Sequence, residues 1–114
     1  MAWRLVFILS LVVVMAMALM PADGSGWFPG QDKLMHAATF AILFLVGQKS
    51  LPNSPVMWQL HFILIVYGIV MELLQGQTGY RYMEAWDLVA DLCGQLLGHL
   101  ALFLHAKKIF KTVP

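Results

Sequence analysis

The chain contains, at residues 56–75, the stretch VMWQLHFILIVYGIVMELLQ, which decides the class of fold. About 20 predominantly apolar residues are the length that an α-helix needs to cross the hydrocarbon core of a bilayer. Its only charged residue is Glu72, close to its end. The stretch therefore predicts a membrane-spanning helix that carries one acid near a membrane face.

Three further apolar stretches resemble this one, and clusters of glycine, proline and other turn-forming residues separate all four. The predicted helices cover residues 3–20, 32–48, 56–75 and 87–106. Asp32 fits the second as an N-cap or a first-turn acid. We expect an all-α fold, an integral membrane bundle of four transmembrane helices that forms a single domain over residues 1–114.

The first stretch has a second interpretation. Arg4, the apolar run after it and Ala16-Met17-Ala18 also match a secretory signal peptide with its cleavage site. The apolar run continues through Leu19-Met20, which favours a retained helix.

The composition agrees with a membrane protein. The 114 residues are 61% hydrophobic and 11% charged, whereas soluble domains have about 25% charged residues. The net charge of +1 and the lack of a basic run argue against nucleic acid as a partner. A single cysteine, Cys93, excludes a disulfide within the chain and a multi-cysteine zinc site.

The charged residues predict the orientation, because basic residues accumulate in cytoplasmic loops. With a cytoplasmic N-terminus, five basic residues lie inside: Arg4, Lys49, Lys107, Lys108 and Lys111. All six acids then belong to the outer half: Asp23, Asp32, Glu72, Glu84, Asp87 and Asp91. We expect a multi-pass membrane protein with both termini cytoplasmic.

Several polar residues lie within the predicted spans, near the outer face. Asp32 and His36 are four residues apart and share a face of the second helix, as Asp87 and Asp91 do on the fourth. Gly94-x-x-x-Gly98 has the spacing that lets membrane helices approach closely. The candidate ligand-binding residues are Asp32, Lys33, His36, Glu72, Gln75, Arg81, Asp87 and Asp91.

The order and spacing of these residues resemble those of the VanZ-like membrane proteins, a family named after a glycopeptide-antibiotic (teicoplanin) resistance protein. The resemblance covers about residues 30–100. It is carried by Asp32-Lys33-x-x-His36-x-x-x-Phe40, Gly68-x-x-x-Glu72-x-x-Gln75, Arg81 and Asp87-x-x-x-Asp91-x-x-Gly94-x-x-x-Gly98. Asp91 departs from the family pattern, which usually has Asn there. The resemblance implies a small helical protein of the bacterial inner membrane with a role in the cell envelope.

Three functions fit the outer-face residues. The leading hypothesis is a site for the polar part of an envelope lipid, a cell-wall precursor or an amphiphilic antibiotic such as a glycopeptide, with Lys33 and Arg81 meeting anionic groups. The alternatives are a metal-assisted phosphoryl-transfer enzyme acting on a lipid, and a structural interhelical polar lock. The leading hypothesis assigns no resident cofactor or metal, membrane lipid as a partner, and a possible homo-oligomer.

Two histidines lie at comparable depth in the inner half of the predicted bundle. His61 and His99 could be axial ligands of a b-type haem. We expect them instead to be polar packing groups.

Overall fold

The computed structural model describes residues 2–21, 29–51, 56–79 and 83–112. Its four helices are α1 (Ala2–Ala18), α2 (Gln31–Ser50), α3 (Val56–Gln77) and α4 (Ala85–Thr112), and these described ranges contain no strand. The all-α prediction with four helices is confirmed. Hydrogen bonds between residues far apart in sequence join the start of α1 to the end of α2, and the end of α1 to the end of α3. A further one joins Glu84, just before α4, to Glu72 near the end of α3. Successive helices therefore run in alternating directions.

The helix ends differ slightly from the predicted ones. Gly30 precedes α2 with a φ of 83°, a left-handed conformation that glycine adopts without a Cβ clash. Asp32 therefore lies in the first turn of α2 and is not its N-cap. The last helix is longer than predicted and reaches Thr112, because no proline or glycine interrupts it after Gly98.

The second helix is the centre of the bundle and contacts the other three. Its buried face includes Phe40, Leu43 and Phe44, which pack with Leu60 and Leu64 of α3. The closest approach is between α2 and α4, because a Cβ added at Gly94 would collide with the carbonyl oxygen of Ala37. The small-residue spacing thus has the packing role that membrane helices give it.

The distribution of polarity is the reverse of that in a soluble protein. The buried set includes Glu72, Gln75, Asp87, Asp91 and Gln95, whereas apolar side chains of α1, α3 and α4 are exposed along their length. Exposed apolar surfaces of this extent mark contact with a membrane or with another protein. The bundle is apolar outside and polar in part of its interior.

Two helices are long and apolar enough to cross a membrane, over Met57–Gln77 and Ala85–Lys108. The apolar helix α1 is shorter, at 17 residues. The second helix has polar residues at both ends, which leaves about 14 apolar-rich residues, or about 21 Å at 1.5 Å per residue. Because α2 is enclosed by its neighbours, it lacks the uniformly apolar surface of a lipid-facing helix.

Candidate functional site

The carboxylate cluster lies at the end of the bundle where α2 and α4 begin and α3 ends. We use this name for the side chains of Asp32, Lys33, His36, Glu72, Glu84, Asp87 and Asp91. Asp32 and Asp87 lie in the first turns of α2 and α4, where the helix dipole favours negative charge. Two helix N-termini thus help to gather carboxylates at one end of the molecule.

Lys33 is the only cation with a fixed positive charge among the described residues of this cluster. Its ammonium group donates to Glu84, lies 2.5 Å from Oδ1 of Asp87 and 3.4 Å from Oδ2 of Asp32. Asp87 is almost fully buried, whereas Asp32 and Glu84 are partly exposed. The charge of Lys33 is therefore already matched by carboxylates, which leaves it poorly available to a phosphate.

His36 connects α2 to α4. Its Nδ1 donates to Oδ1 of Asp91 at 2.7 Å, since a carboxylate only accepts. Its Nε2 faces Oδ2 of Asp87 at 3.8 Å and Oδ1 of Asp32 at 3.9 Å. Both distances are too long for a hydrogen bond. Nδ1 of the imidazole is therefore hydrogen-bonded, whereas Nε2 faces a space between two carboxylates.

Glu72 has an unusual environment for an acid. Its side chain is buried, and one oxygen, Oε2, accepts from the backbone N–H of Glu84 at 3.2 Å. The other oxygen, Oε1, has no hydrogen-bond donor among the described residues. Glu72 and Asp87 are both buried and lie close enough for their negative charges to repel each other, and a proton or a nearby cation would relieve that repulsion.

Gly68 makes room for Asp91. A Cβ added at Gly68 would lie 2.9 Å from Oδ2 of Asp91, an oxygen that has no donor among the described residues. The structure shows that Gly68 accommodates a carboxylate.

A groove of about 260 Å³ leads away from the cluster between α1, α2 and α3. Asp32 and His36 line its polar end. Gln75 also lines it and donates from Nε2 to the carbonyl oxygen of Ala18 at 2.9 Å, so it lies towards α1 and apart from the acids. The remaining lining residues are mostly apolar: Val14, Met17, Ala18, Met35, Thr39, Phe40 and Met71.

The structure brings together six of the predicted site residues in the cluster: Asp32, Lys33, His36, Glu72, Asp87 and Asp91. Arg81 lies outside the described residues.

Sequence analysis omitted Glu84 and Gln95 from the site residues. Glu84 directly precedes α4, and its carbonyl oxygen accepts from the backbone N–H of Asp87 at 3.1 Å. Gln95 and His99 extend the four-residue spacing that begins at Asp87 and Asp91, so the complete polar stripe of α4 was visible in the sequence.

A second polar group occupies the opposite half of the interior. His61 donates from Nδ1 to Oε1 of Gln95 at 3.1 Å, and His99 Nδ1 lies 2.9 Å from His61 Nε2. Both rings stack on Phe44. A metal ion between two imidazole nitrogens would need about 4 Å between them, twice a metal–nitrogen distance of about 2 Å. This arrangement fits polar packing and leaves no space for haem iron between the rings.

Comparison of the chain with protein-family models, with curated proteins and with solved structures finds no match.

Proposed function

We propose that this chain is a four-span inner-membrane protein that binds an amphiphile in the groove, with the polar part of the amphiphile at the carboxylate cluster. The amphiphile is an envelope lipid, a cell-wall precursor or an amphiphilic antibiotic, handled at the extracytoplasmic end of α2–α4. The observation that carries the proposal is the shape of the groove, which joins Asp32 and His36 to a wall of apolar side chains.

Two properties of the helices support a membrane location. The exposed faces of α3 and α4 carry large apolar residues such as Phe62, Ile69, Leu96 and Phe103, which lipid tails solvate and water does not. The described tryptophans, Trp3, Trp58 and Trp86, lie near helix ends and are exposed, as side chains at a headgroup boundary are. We expect α1 and α2 to complete the bundle as the other two spans.

The charges at the two ends of the bundle support the proposed orientation. Arg4 lies near the start of α1, and Lys49 near the end of α2, where its ammonium is 4.6 Å from the centre of the Trp3 ring. Lys107 and Lys108 lie towards the end of α4. The positive-inside rule places this basic end in the cytoplasm, and the acids cluster at the other end of the bundle.

The chemistry of the cluster favours a head group that donates hydrogen bonds, such as an amine or a hydroxyl. Asp32 is the exposed acceptor at the polar end of the groove, and Lys33 is engaged by carboxylates. An anionic head group would meet net negative charge there. The sequence-based expectation that Lys33 binds an anionic group is therefore replaced by the proposal of a hydrogen-bond-donating head group.

The VanZ-like resemblance and its link to teicoplanin resistance remain predictions from the sequence motifs. The structural polar lock is the alternative to amphiphile binding, because His36, Asp91 and Lys33 already join α2 to α4. The two functions differ in a measurable way, since only a binding site is blocked by filling the groove.

The test uses the full chain in lipid nanodiscs, with a chelator present, and dodecylamine and dodecyl sulfate as probes. We expect dodecylamine to raise the unfolding temperature saturably, since a ligand at 100 times its Kd stabilises by about 2.7 kcal/mol. Dodecyl sulfate at the same concentration should have a much smaller effect. Asp32→Asn should weaken dodecylamine binding about tenfold or more.

A matched pair of methionine variants separates groove binding from general insertion into lipid. Met35 lines the groove, and Met20 is similarly exposed but does not line it. Met35→Trp should abolish the dodecylamine effect, whereas Met20→Trp should leave it unchanged. Equal effects of the two probes, or no response to Asp32→Asn and Met35→Trp, would refute groove binding and leave the polar lock.

A further inference from the structure

The cluster contains an arrangement that amphiphile binding does not explain: three potential ligand atoms that face one another without bonding. Asp32, His36 and Asp87 each offer one ligand atom within 4.8 Å of those of the other two. The atoms that face the imidazole nitrogen Nε2 of His36 are Oδ1 of Asp32 and Oδ2 of Asp87. The imidazole nitrogen is 3.8 Å from one carboxylate oxygen and 3.9 Å from the other.

These separations are close to those between ligands of one small cation. Ligand atoms at about 2.0–2.2 Å from a tetrahedral ion are about 3.4 Å apart, so the two separations from the imidazole nitrogen are about 0.4–0.5 Å wider than in an occupied site.

The surrounding hydrogen bonds orient the three atoms towards the same point. Asp91 accepts from Nδ1–H of His36, which leaves Nε2 as the free lone pair. This carboxylate–histidine pair is the arrangement that usually supports a metal-bound imidazole. Lys33 lies near Oδ2 of Asp32 and Oδ1 of Asp87, the oxygens that do not face His36. Each aspartate therefore presents its second oxygen to the same space.

Glu72 supplies an independent indication that a cation belongs here. It is 1% exposed, its Oε1 has no donor among the described residues, and the negative charge of Asp87 acts on it. The cluster contains five acidic side chains and one lysine. A buried carboxyl oxygen that lacks a donor and lies near other acids is costly unless positive charge offsets it.

We propose that His36, Asp32 and Asp87 bind one first-row divalent ion of the Zn²⁺ type, with Asp91 as the residue that positions His36. One nitrogen and two oxygen ligands suit Zn²⁺, whereas Mg²⁺ prefers oxygen ligands and an octahedral shell. Three protein ligands leave a coordination position open. The inference does not rest on amphiphile binding, because every ligand is a side chain of this chain.

The first experiment measures metal binding by the purified full chain in nanodiscs, without any added amphiphile. The protein is stripped with a chelator, equilibrated with Zn²⁺ or Mg²⁺, and analysed for bound metal by mass spectrometry. We expect one Zn²⁺ per chain and little Mg²⁺ at the same concentration. X-ray absorption at the zinc edge should show a single imidazole among the ligands.

Matched variants test the assignment of ligands. His36→Gln should weaken Zn²⁺ binding by at least 100-fold, and His105→Gln, on an exposed histidine far along α4, should not change it. Asp91→Asn should weaken binding about 10- to 100-fold with the imidazole signal retained, as loss of a supporting hydrogen bond does.

A pair of partly exposed acids keeps the test decisive if His36→Gln does not fold. Asp32 offers a ligand atom, whereas the Glu84 side chain pairs with Lys33 and is not one of the three ligand residues. Asp32→Asn should reduce Zn²⁺ affinity at least tenfold, and Glu84→Gln by less than threefold. Absence of bound Zn²⁺ in the original chain, or equal affinities in these two variants, would overturn the site.

Failure of this inference is distinguishable from failure of the proposed function. Zinc binding is measured without amphiphile, and dodecylamine binding with chelator present. Bound Zn²⁺ without a dodecylamine effect would contradict amphiphile binding alone, and the reverse result would contradict the metal site alone.

Discussion

The substitution Gly94→Ala tests whether the packing of α2 on α4 holds the carboxylate cluster together. A methyl group at this position would overlap the carbonyl oxygen of Ala37, a backbone atom that cannot rotate away. The two helices would have to separate by about 1 Å, and such overpacking costs about 1–3 kcal/mol. Alanine recovers up to about 1 kcal/mol through its higher helix propensity. We expect a net loss of up to about 2 kcal/mol in unfolding free energy.

The same separation should damage the site. Ala37 follows His36 directly, and Gly94 is about one turn after Asp91. The hydrogen bond from His36 Nδ1 to Asp91 Oδ1 is 2.7 Å long, and an added 1 Å would move the atoms beyond bonding range. Gly94→Ala should therefore weaken the binding of Zn²⁺ as well as lower stability, although it changes no ligand.

Two other glycines provide a graded control. An added Cβ would lie 3.0 Å from the Ala41 carbonyl oxygen at Gly98, and 3.3 Å from Met83 Cβ at Gly76. Gly76→Ala should be the most stable of the three variants, Gly98→Ala the next and Gly94→Ala the least stable. Thermal unfolding monitored by circular dichroism measures this order. If Gly94→Ala were as stable as Gly76→Ala, the inference that α2 and α4 pack closely at Gly94 would be refuted.

Further predictions concern charge, the second polar group, topology and the link between ion and amphiphile. Lys33→Met should lower the unfolding free energy by about 1–3 kcal/mol, because it leaves the buried Asp87 without its cation. Lys49→Met, which changes an exposed lysine, should lower it by less than about 1 kcal/mol. Equal losses in the two variants would contradict the role of Lys33. His99→Ala should cost about 1–3 kcal/mol because it removes the partner of the buried His61, whereas His105→Ala should lie within about 0.5 kcal/mol of the original chain; chemical denaturation of both variants measures the difference. A phosphatase reporter that is active only outside the cytoplasm should be active when fused near Gly79 and inactive at the C-terminus, and the opposite pattern would reverse the proposed orientation. Saturating Zn²⁺ should weaken the binding of dodecylamine and strengthen that of dodecyl phosphate, because the ion adds positive charge at the polar end of the groove. Unchanged affinities would show that the ion site and the amphiphile site do not influence each other.

Local sequence properties were enough to predict the helices and much of the cluster. Apolar runs of span length, interrupted by glycine and proline, predicted four helices, and four helices are found. The four-residue spacing of Asp32 with His36 and of Asp87 with Asp91 predicted which side chains share a face. Glu84 was not predicted as a site residue, because it precedes α4 and the spacing of residues on a helix face does not apply to it.

The chain by itself determined the all-helical class, the apolar exterior and the gathering of acids at one end, since these depend on composition and on spacing within a helix. Only the tertiary structure decided how the acids are paired. His36 and Asp91 are 55 positions apart in the chain, and their contact depends on how closely α2 approaches α4 at Gly94. The pairing of Lys33 with three carboxylates, and the turn of two aspartate oxygens towards one imidazole nitrogen, follow from that approach. Spacing along one helix predicts a face, but the distance between atoms on two helices is set by packing.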